Sequence, residues 1–263
     1  MAEVLVDGCR VSYWVDGPER APALLLSNSI GSTAGLWDQQ VERFSASFRV
    51  IRYDTRGHGR SETRPGEYAL DQLGRDALAV LDGVGVWRAH FCGISLGGIT
   101  GLWLGVQAPE RIGRLIAANT AARIGTAALW TERMRTVRSE GMRAIGEATM
   151  ARWFSVSFRE RNPTIVERFR SMLAGVSAQG YAGCCAALRD ADVRDALGRI
   201  RAQTLVIAGA HDVATSVEDA TFISDRVTKA RLVTLDAAHL SNVEQPEAFN
   251  SAVLAFLAEG HPR

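Results

Sequence analysis

One serine, Ser95, is the residue of this sequence whose neighbours most clearly suggest chemistry. It stands between two glycines in the segment FCGISLGG, residues 91–98, after one apolar run and before another. The spacing Gly-x-Ser-x-Gly between a strand and a helix predicts a tight turn that holds the serine in a strained backbone conformation. Side chains at the glycines would clash with the strand or the helix. We therefore predict that Ser95 is a nucleophile, the alternative being a chance match to the pattern.

A serine nucleophile needs a general base, and histidine is the usual one. The sequence offers five histidines, which are His58, His90, His211, His239 and His261. His239 follows the last predicted strand and precedes the last predicted helix, so it should lie at the same edge of the sheet as Ser95. We predict His239 as the base. His211 is then a neighbour, His58 is a minor alternative in a glycine-rich turn, and His261 lies in the tail.

The base in turn needs an orienting acid, and two aspartates compete for this role. Asp212 follows the predicted strand 204–208, whereas Asp236 lies only three residues before His239 and could be an ordinary loop carboxylate. We predict Asp212, which gives the chain order serine, aspartate, histidine. For the oxyanion we predict two backbone amides, that of Leu96 after the nucleophile and that of Ser29 in the loop after the strand 23–26.

Hydrophobic periodicity predicts the elements that must position these residues. Alternating residues on either side of Asp7-Gly8 predict a β-hairpin, and short apolar runs predict buried strands. The predicted strands are residues 23–26, 49–53, 89–92, 114–118, 204–208 and 231–235. The predicted helices between and after them are residues 33–45, 70–84, 97–107 and 246–258. This alternation predicts an α/β fold with a mostly parallel central sheet flanked by helices.

The alternation is interrupted once, between about residues 123 and 200, where the pattern is helical throughout. We therefore predict two units. Residues 1–122 and 201–263 form the α/β core, and residues 123–200 form an all-helical cap, or lid, over the site. The segment DTRGHGRS, residues 54–61, follows a strand near the serine turn, and we interpret it as structural support in which Asp54 and Arg56 connect neighbouring loops.

Composition and charge exclude several classes of partner. A net charge of +1 in 263 residues, with no basic stripe, argues against nucleic acid and anionic membranes. The sequence contains no apolar run of transmembrane length and no signal-peptide pattern at its start. Its four cysteines have no metal-site spacing, so we expect reduced thiols, a cytoplasmic protein and no bound metal. The oligomeric state is not fixed by the sequence.

Ser95, Asp212 and His239, hereafter the triad, together with the 54–61 turn resemble the α/β-hydrolase superfamily, and this resemblance covers the whole chain. Five segments resemble, more narrowly, the 3-oxoadipate enol-lactonases of the β-ketoadipate pathway. They are LSNSIG (26–31), FCGISLGG (91–98), ANTAARIG (118–125), GYAGCC (180–185) and AAHLSN (237–242). The triad segments are specific to the superfamily only, whereas ANTAARIG and GYAGCC favour the lactonases.

The resemblance implies an α/β-hydrolase fold and a serine hydrolase that opens a small lactone bearing a carboxylate, without a metal or organic cofactor. That carboxylate needs a cation, and helical spacing places Arg133 beside Trp130 on the inner face of the cap while Arg135 points elsewhere. We expect Arg133 to bind the carboxylate, and Trp130 and Trp153 to line the pocket or to pack the cap.

Other functions remain open at this stage. The same scaffold supports carboxylesterases, carbon–carbon bond hydrolases and cofactor-free haloperoxidase-like enzymes, and a non-catalytic small-molecule receptor is a more distant alternative. Haloalkane dehalogenases and epoxide hydrolases are disfavoured because their nucleophile at this turn is an aspartate.

Overall fold

The apolar runs form eight strands of one sheet in the computed structural model, which describes residues 1–259. The strands are β1 (Ala2–Val6), β2 (Cys9–Asp16), β3 (Ala23–Ser27), β4 (Arg49–Tyr53), β5 (Ala89–Ile94), β6 (Ile112–Ala118), β7 (Gln203–Gly209) and β8 (Ala230–Leu235). Their spatial order is β1-β2-β4-β3-β5-β6-β7-β8. Strands β3 to β8 pair in parallel, and β2 runs antiparallel to both β1 and β4. The predicted mostly parallel sheet is confirmed.

The predicted hairpin at the start of the chain is also confirmed. Val6 pairs with Cys9, so only Asp7 and Gly8 connect β1 to β2. Both residues have positive φ, 48° and 73°, as a type I′ turn requires. The hairpin places β1 at one edge of the sheet, far in the strand order from β7 and β8, which are followed by the loops of the predicted acid and base.

Eleven α-helices are present in residues 1–259. They are α1 (Asp38–Ser45), α2 (Leu70–Gly83), α3 (Leu96–Gln107), α4 (Ala127–Glu140), α5 (Gly146–Trp153), α6 (Val156–Arg161), α7 (Pro163–Ala174), α8 (Ala178–Asp190), α9 (Val217–Arg226), α10 (Ser241–Glu244) and α11 (Pro246–Ala258). Between β6 and β7 the described chain contains helices α4 to α8 and no strand. Residues 260–263, which include His261 and the end of the predicted core, lie outside the described residues.

Two helices were not predicted, α9 and α10. Helix α9 begins with a capping box, in which Ser216 and Asp219 each accept the other's backbone amide at 3.3 and 2.9 Å. Its buried face consists of little more than Ala220 and Ile223, so its hydrophobic periodicity is weak. Helix α10 is a single turn, too short for a periodic pattern to reveal.

The core explains why the central strands read as continuous apolar runs. Leu24, Leu25 and Leu26 of β3 are all fully buried, because helices cover both faces of the sheet. Buried side chains of the helices between β6 and β7, such as Trp153 and Tyr181, belong to the same hydrophobic cluster. No helix in residues 1–259 has both the length and the apolar character needed to cross a lipid bilayer.

Candidate active site

Ser95 lies alone between the last residue of β5 and the first residue of α3. Its φ of 58° and ψ of −114° are sparsely populated for a residue with a side chain. The surrounding chain holds this conformation, because the Ser95 amide donates to the Ala118 carbonyl at 3.0 Å. The Ser95 carbonyl accepts from the Thr120 hydroxyl at 2.8 Å. The predicted strained turn between strand and helix is thus present.

The two glycines of the motif are required by close backbone approach. A Cβ atom at Gly93 would overlap the carbonyl group of Gly97, and one at Gly97 would overlap the carbonyl group of Ser27. Strand β5, helix α3 and the end of β3 therefore come together at a distance that only glycine permits. This packing directs the Ser95 side chain away from the sheet, and Ser95 lines a cavity.

His239 and Asp212 form a buried pair at the same edge of the sheet. His239 Nδ1 lies 2.8 Å from Asp212 Oδ2, and their side chains are only 5% and 0% exposed. Asp212 Oδ1 also accepts the amides of Ala214 at 2.8 Å and Thr215 at 3.0 Å. With its proton on Nδ1, held by the carboxylate, the His239 ring has Nε2 free to act as a base.

These contacts keep Asp212 ionised. Burial raises the pKa of its carboxyl, but the charge and hydrogen bond of His239 and the amides of Thr215 and Ala214 outweigh burial and lower the pKa to about 2. The Thr215 hydroxyl adds a further hydrogen bond to Oδ2 at 2.8 Å. A negative charge is therefore available at neutral pH to stabilise a protonated His239.

Asn119 is a residue of this cluster to which the sequence assigned no role. Its side-chain amide donates to Asp212 Oδ2 and to the Ala238 carbonyl, both at 3.1 Å, and its oxygen accepts from the Ser241 hydroxyl at 2.5 Å. Asn119 directly follows β6 and has a positive φ of 44°. That position, at the carboxyl end of a strand beside β7, is the signal that could have identified it.

The competing acid and bases lie elsewhere. Asp236 pairs with His211 at 2.7 Å, and both side chains are exposed, by 84% and 56%. His58 is buried, with Nε2 accepting the Gly31 amide at 3.0 Å and Nδ1 3.2 Å from the Arg56 carbonyl. None of the three lines the cavity that contains Ser95.

The predicted oxyanion donors lie on two segments that are hydrogen-bonded to each other. Leu96 is the first residue of α3, so its amide has no partner within the helix. The next amide, that of Gly97, donates to the Asn28 carbonyl at 2.9 Å. The Asn28 side chain donates to the Tyr53 carbonyl at 2.7 Å, which fixes the loop containing Ser29. Ser29 and Ser95 line the same cavity.

This cavity has a volume of about 320 Å³ and lies between the sheet edge and the helices that separate β6 from β7. All three predicted substrate-binding residues line it, together with others from the same helices. The lining residues of these helices and of the segment before them are Ile124, Gly125, Leu129, Trp130, Arg133, Thr149, Arg152, Trp153 and Tyr181. A cavity of about 420 Å³ near Phe48 and Leu257 contains none of the predicted site residues.

The predicted binding residues are held in place by contacts of their own. The Trp130 indole donates to the Ile124 carbonyl at 2.6 Å, and the Arg133 guanidinium lies 5.0 Å from the centre of the Trp130 ring. The Trp153 carbonyl accepts the amide of Leu240, next to His239, at 3.0 Å. Arg135 instead pairs with exposed Glu132 at 2.5 Å, as its predicted outward direction requires.

The sequence did not identify Arg152, which also lines the cavity. The available signal was weak: Arg152 is adjacent in sequence to Trp153, and only the tertiary packing of α5, which contacts α7, shows that both residues line the cavity. Within residues 1–259, no group of three or more histidine, cysteine, aspartate or glutamate side chains is arranged to hold a metal ion. The four cysteines are free and buried.

Comparison with known proteins gives consistent similarities over nearly the whole chain. The family profile of the α/β hydrolase fold matches residues 22–246. The chain is 48% identical over 247 residues to 3-oxoadipate enol-lactonase 2 of Acinetobacter baylyi, covering 94% of this chain and 92% of that protein. It is 42% identical over 242 residues to 3-oxoadipate enol-lactonase 1 of the same bacterium, covering 92% and 91%.

A solved structure shows the same similarity in three dimensions. The enol-lactonase from Burkholderia xenovorans LB400 superposes with a TM-score of 0.97 at 40% sequence identity, covering 98% of this chain and all of that one. The agreement therefore extends over both the sheet and the helices between β6 and β7.

Proposed function

The chain belongs to the α/β-hydrolase family and resembles its 3-oxoadipate enol-lactonases, and from this premise we propose that it hydrolyses 3-oxoadipate enol-lactone to 3-oxoadipate. The observation that carries the proposal is one cavity lined by Ser95, by His239 with its buried Asp212, and by the cation Arg133. The proposed substrate is a small unsaturated five-membered lactone with a carboxymethyl arm, so it offers both a reactive carbonyl and an anion.

In the proposed first step, Ser95 Oγ attacks the lactone carbonyl and His239 Nε2 takes the hydroxyl proton. The carbonyl oxygen becomes an oxyanion that accepts hydrogen bonds from the Leu96 and Ser29 amides, each stabilising the transition state by about 3 kcal/mol. The intermediate collapses, the ring C–O bond breaks, and the His239 imidazolium gives its proton to the leaving enolate oxygen, which returns His239 to its neutral form. The enol then becomes the ketone by losing the proton on oxygen to water and gaining one on carbon. An enolate is a better leaving group than an alkoxide, so this step needs little acid assistance.

In the second step, water attacks the acyl-serine while His239 accepts the water proton, and the same two amides stabilise the second oxyanion. Collapse returns the proton to Ser95 Oγ and releases a carboxylate. Asp212, whose pKa is lowered to about 2, remains ionised throughout and stabilises the imidazolium that forms in each step. The reaction needs no metal or organic cofactor, since each proton and charge has a protein partner.

We assign the substrate arm to the helices between β6 and β7. Arg133 would pair with the carboxylate, and Trp130 and Trp153, both almost fully buried, would form the walls beside the ring. On this proposal residues 123–200 act as a cap that excludes water from the acyl-enzyme, and residues 1–122 and 201–263 act as the core that carries the triad. The free thiols suit a reducing compartment, and we propose that the protein acts in the cytoplasm.

The test is the loss of ultraviolet absorbance when purified protein is mixed with freshly generated 3-oxoadipate enol-lactone. We expect rapid loss with the natural sequence and a rate at least about a thousandfold lower with Ser95→Ala, since removing the nucleophile leaves only binding and the oxyanion donors. Ser12→Ala is the matched control: it removes a buried hydroxyl on β2 that bonds to the Arg60 carbonyl at 3.1 Å, away from the cavity, and we expect it to retain most activity.

The possible failures point to different alternatives. Absence of lactone hydrolysis together with cleavage of phenyl acetate would retain the serine hydrolase mechanism and reject the substrate. Inactivity on both substrates, with no labelling of Ser95 by a fluorophosphonate, would favour a non-catalytic receptor.

A further inference from the structure

Two arginine side chains face the cavity without an acidic partner. Arg133 on α4 and Arg152 on α5 both line it and both are half-buried. Within residues 1–259, neither forms an ion pair with a carboxylate. The contacts shown are the Arg133 guanidinium over Trp130 and the donation of Arg152 to the Thr149 hydroxyl at 3.1 Å. Partly desolvated cations without a counter-ion are costly, so such a site is suited to an anion.

Tyr181 lines the same cavity as the two cations. This side chain is almost fully buried, and both arginines act on its phenol electrostatically. Burial raises the pKa of Tyr181 to about 12, so the phenol stays neutral and is not the missing counter-ion. Burial and then the charge of Arg133 lower the pKa of Arg152 to about 10. A bound anion would offset both the burial of the Arg152 guanidinium and its repulsion by Arg133.

We propose that Arg152 is a specificity-determining residue that shares with Arg133 the carboxylate of the substrate. The chemical class is a small ester or lactone, or its carboxylic acid product, that carries a carboxylate away from the reacting carbonyl. This inference rests on the proposed function for the identity of the reaction, but the anion preference itself is a property of the cavity. Two guanidinium groups can surround one carboxylate with charge-assisted hydrogen bonds, which a neutral ester cannot accept equally well.

The first experiment compares specificity constants for the enol-lactone and for neutral phenyl acetate. In Arg152→Met, which keeps an apolar stem and loses the charge, we expect the ratio of the lactone to the phenyl acetate constant to fall by about 10- to 100-fold. Arg152→Lys keeps the charge and should recover part of the ratio. A merely structural role for Arg152 would lower both constants together and leave the ratio unchanged, which would overturn the inference.

Arg135→Met is the matched control for this comparison. Arg135 lies on α4 two residues from Arg133, but it is exposed and paired with Glu132. Removing its charge tests whether a positive charge anywhere on these helices attracts the anionic substrate through the solvent. We expect its ratio to equal that of the natural sequence. A fall as large as that in Arg152→Met would also overturn the inference.

The second experiment separates this inference from the proposed function. Adipate, a dicarboxylate, and adipamide, its neutral diamide, are compared as competitive inhibitors of phenyl acetate hydrolysis. We expect adipate to have an inhibition constant at least about tenfold lower than adipamide, and the difference to become several-fold smaller in Arg152→Met, which keeps Arg133. Failure to hydrolyse the enol-lactone with this result intact would reject the proposed substrate only. Equal inhibition by both compounds would reject the anion site, and an adipate preference that is undiminished in Arg152→Met would reject the role of Arg152.

Discussion

At the scale of single residues, the candidate site separates two aspartates that the sequence left in competition. His239 Nδ1 bonds to Asp212, whereas Asp236 pairs with exposed His211 on the surface. The two pairs differ in burial, and burial decides how strongly the charges of each pair interact. A charge pair that is withdrawn from water acts at a low effective dielectric constant, while an exposed pair is screened by solvent and salt. On the proposed mechanism, the buried Asp212 carboxylate is therefore the one that orients and stabilises the His239 imidazolium.

This difference predicts the effect of removing each carboxylate. In Asp212→Asn we expect kcat for ester or lactone hydrolysis to fall by about a thousandfold or more, because the amide can hold the His239 ring in the wrong tautomer and cannot balance its positive charge. Steady-state kinetics at constant pH, together with circular dichroism to verify folding, measures this effect.

Asp236→Asn is the matched control, since it makes the same chemical change at the exposed pair. We expect kcat within about twofold of the natural value, as for most surface substitutions away from the site. Comparable losses in the two variants would mean that the acid of the triad is not Asp212.

At the scale of elements, one short helix connects the His239 loop to the helices above it. The Glu244 carboxylate of α10 accepts the amide of Ala238 at 3.0 Å. The same carboxylate accepts the amide of Ser155 at 3.3 Å and also bonds to the Ser155 hydroxyl. Ser155 is the N-cap of α6, where its hydroxyl accepts the amide of Phe158. A single carboxylate therefore links the loop that contains His239 with the start of α6.

We predict that Glu244→Gln lowers both stability and kcat. The amide keeps one acceptor, loses the charge that strengthens three hydrogen bonds, and presents an N–H group to other donors. A cost of about 2 kcal/mol corresponds to a fall in the thermal midpoint of about 5 °C for a domain of this size. We expect kcat to fall by about tenfold, because the loop before His239 loses one of its supports. Differential scanning calorimetry and steady-state kinetics measure the two effects.

Glu247→Gln provides the comparison. Glu247 is exposed in the first turn of α11, and the substitution removes a negative charge only three residues from Glu244. Its expected midpoint lies within about 2 °C of the natural value, because a single exposed charge near a helix N-terminus contributes little. Equal midpoints for the two variants would show that the Glu244 contacts do not support the loop.

At the scale of the whole molecule, a buried histidine links global stability to pH. His58 Nε2 accepts the Gly31 amide, so its proton is on Nδ1, which faces the Arg56 carbonyl. Burial lowers the pKa of His58 to about 4, against about 6.5 in an unfolded chain. The unfolded state therefore binds more protons between these values. The stabilisation is complete above pH 6.5 and is lost as the pH falls towards 4.

The expected loss from His58 is about 3 kcal/mol of the free energy of unfolding. We predict that the difference in stability between the natural sequence and His58→Gln, measured by urea unfolding, shrinks by about this amount between pH 7.5 and pH 4. Glutamine does not titrate, so it removes this contribution to the pH dependence. Thr100→Val, a buried substitution that removes no titratable group, is the control, and its difference should stay nearly constant over the same range. A pH-independent difference for His58→Gln would contradict the assignment of a buried neutral imidazole.

The sequence by itself determined the parallel sheet, the interruption by helices and the serine turn. These features depend on local patterns: continuous apolar runs mark strands covered on both faces, and the two glycines mark a backbone approach that admits no side chain. Helices α9 and α10 were not predicted, because α9 has only a small apolar face and α10 is a single turn.

Only the tertiary structure decided which polar side chains meet. The pairing of His239 with Asp212, the support from Asn119 and Glu244, and the presence of Arg152 in the cavity depend on residues that are far apart in sequence. Periodicity reports which face of an element is buried, but it carries no information about the distance between two elements. Whether a charged side chain meets an acid, a hydroxyl or an empty cavity follows from that distance, and hence so does the chemistry available to it.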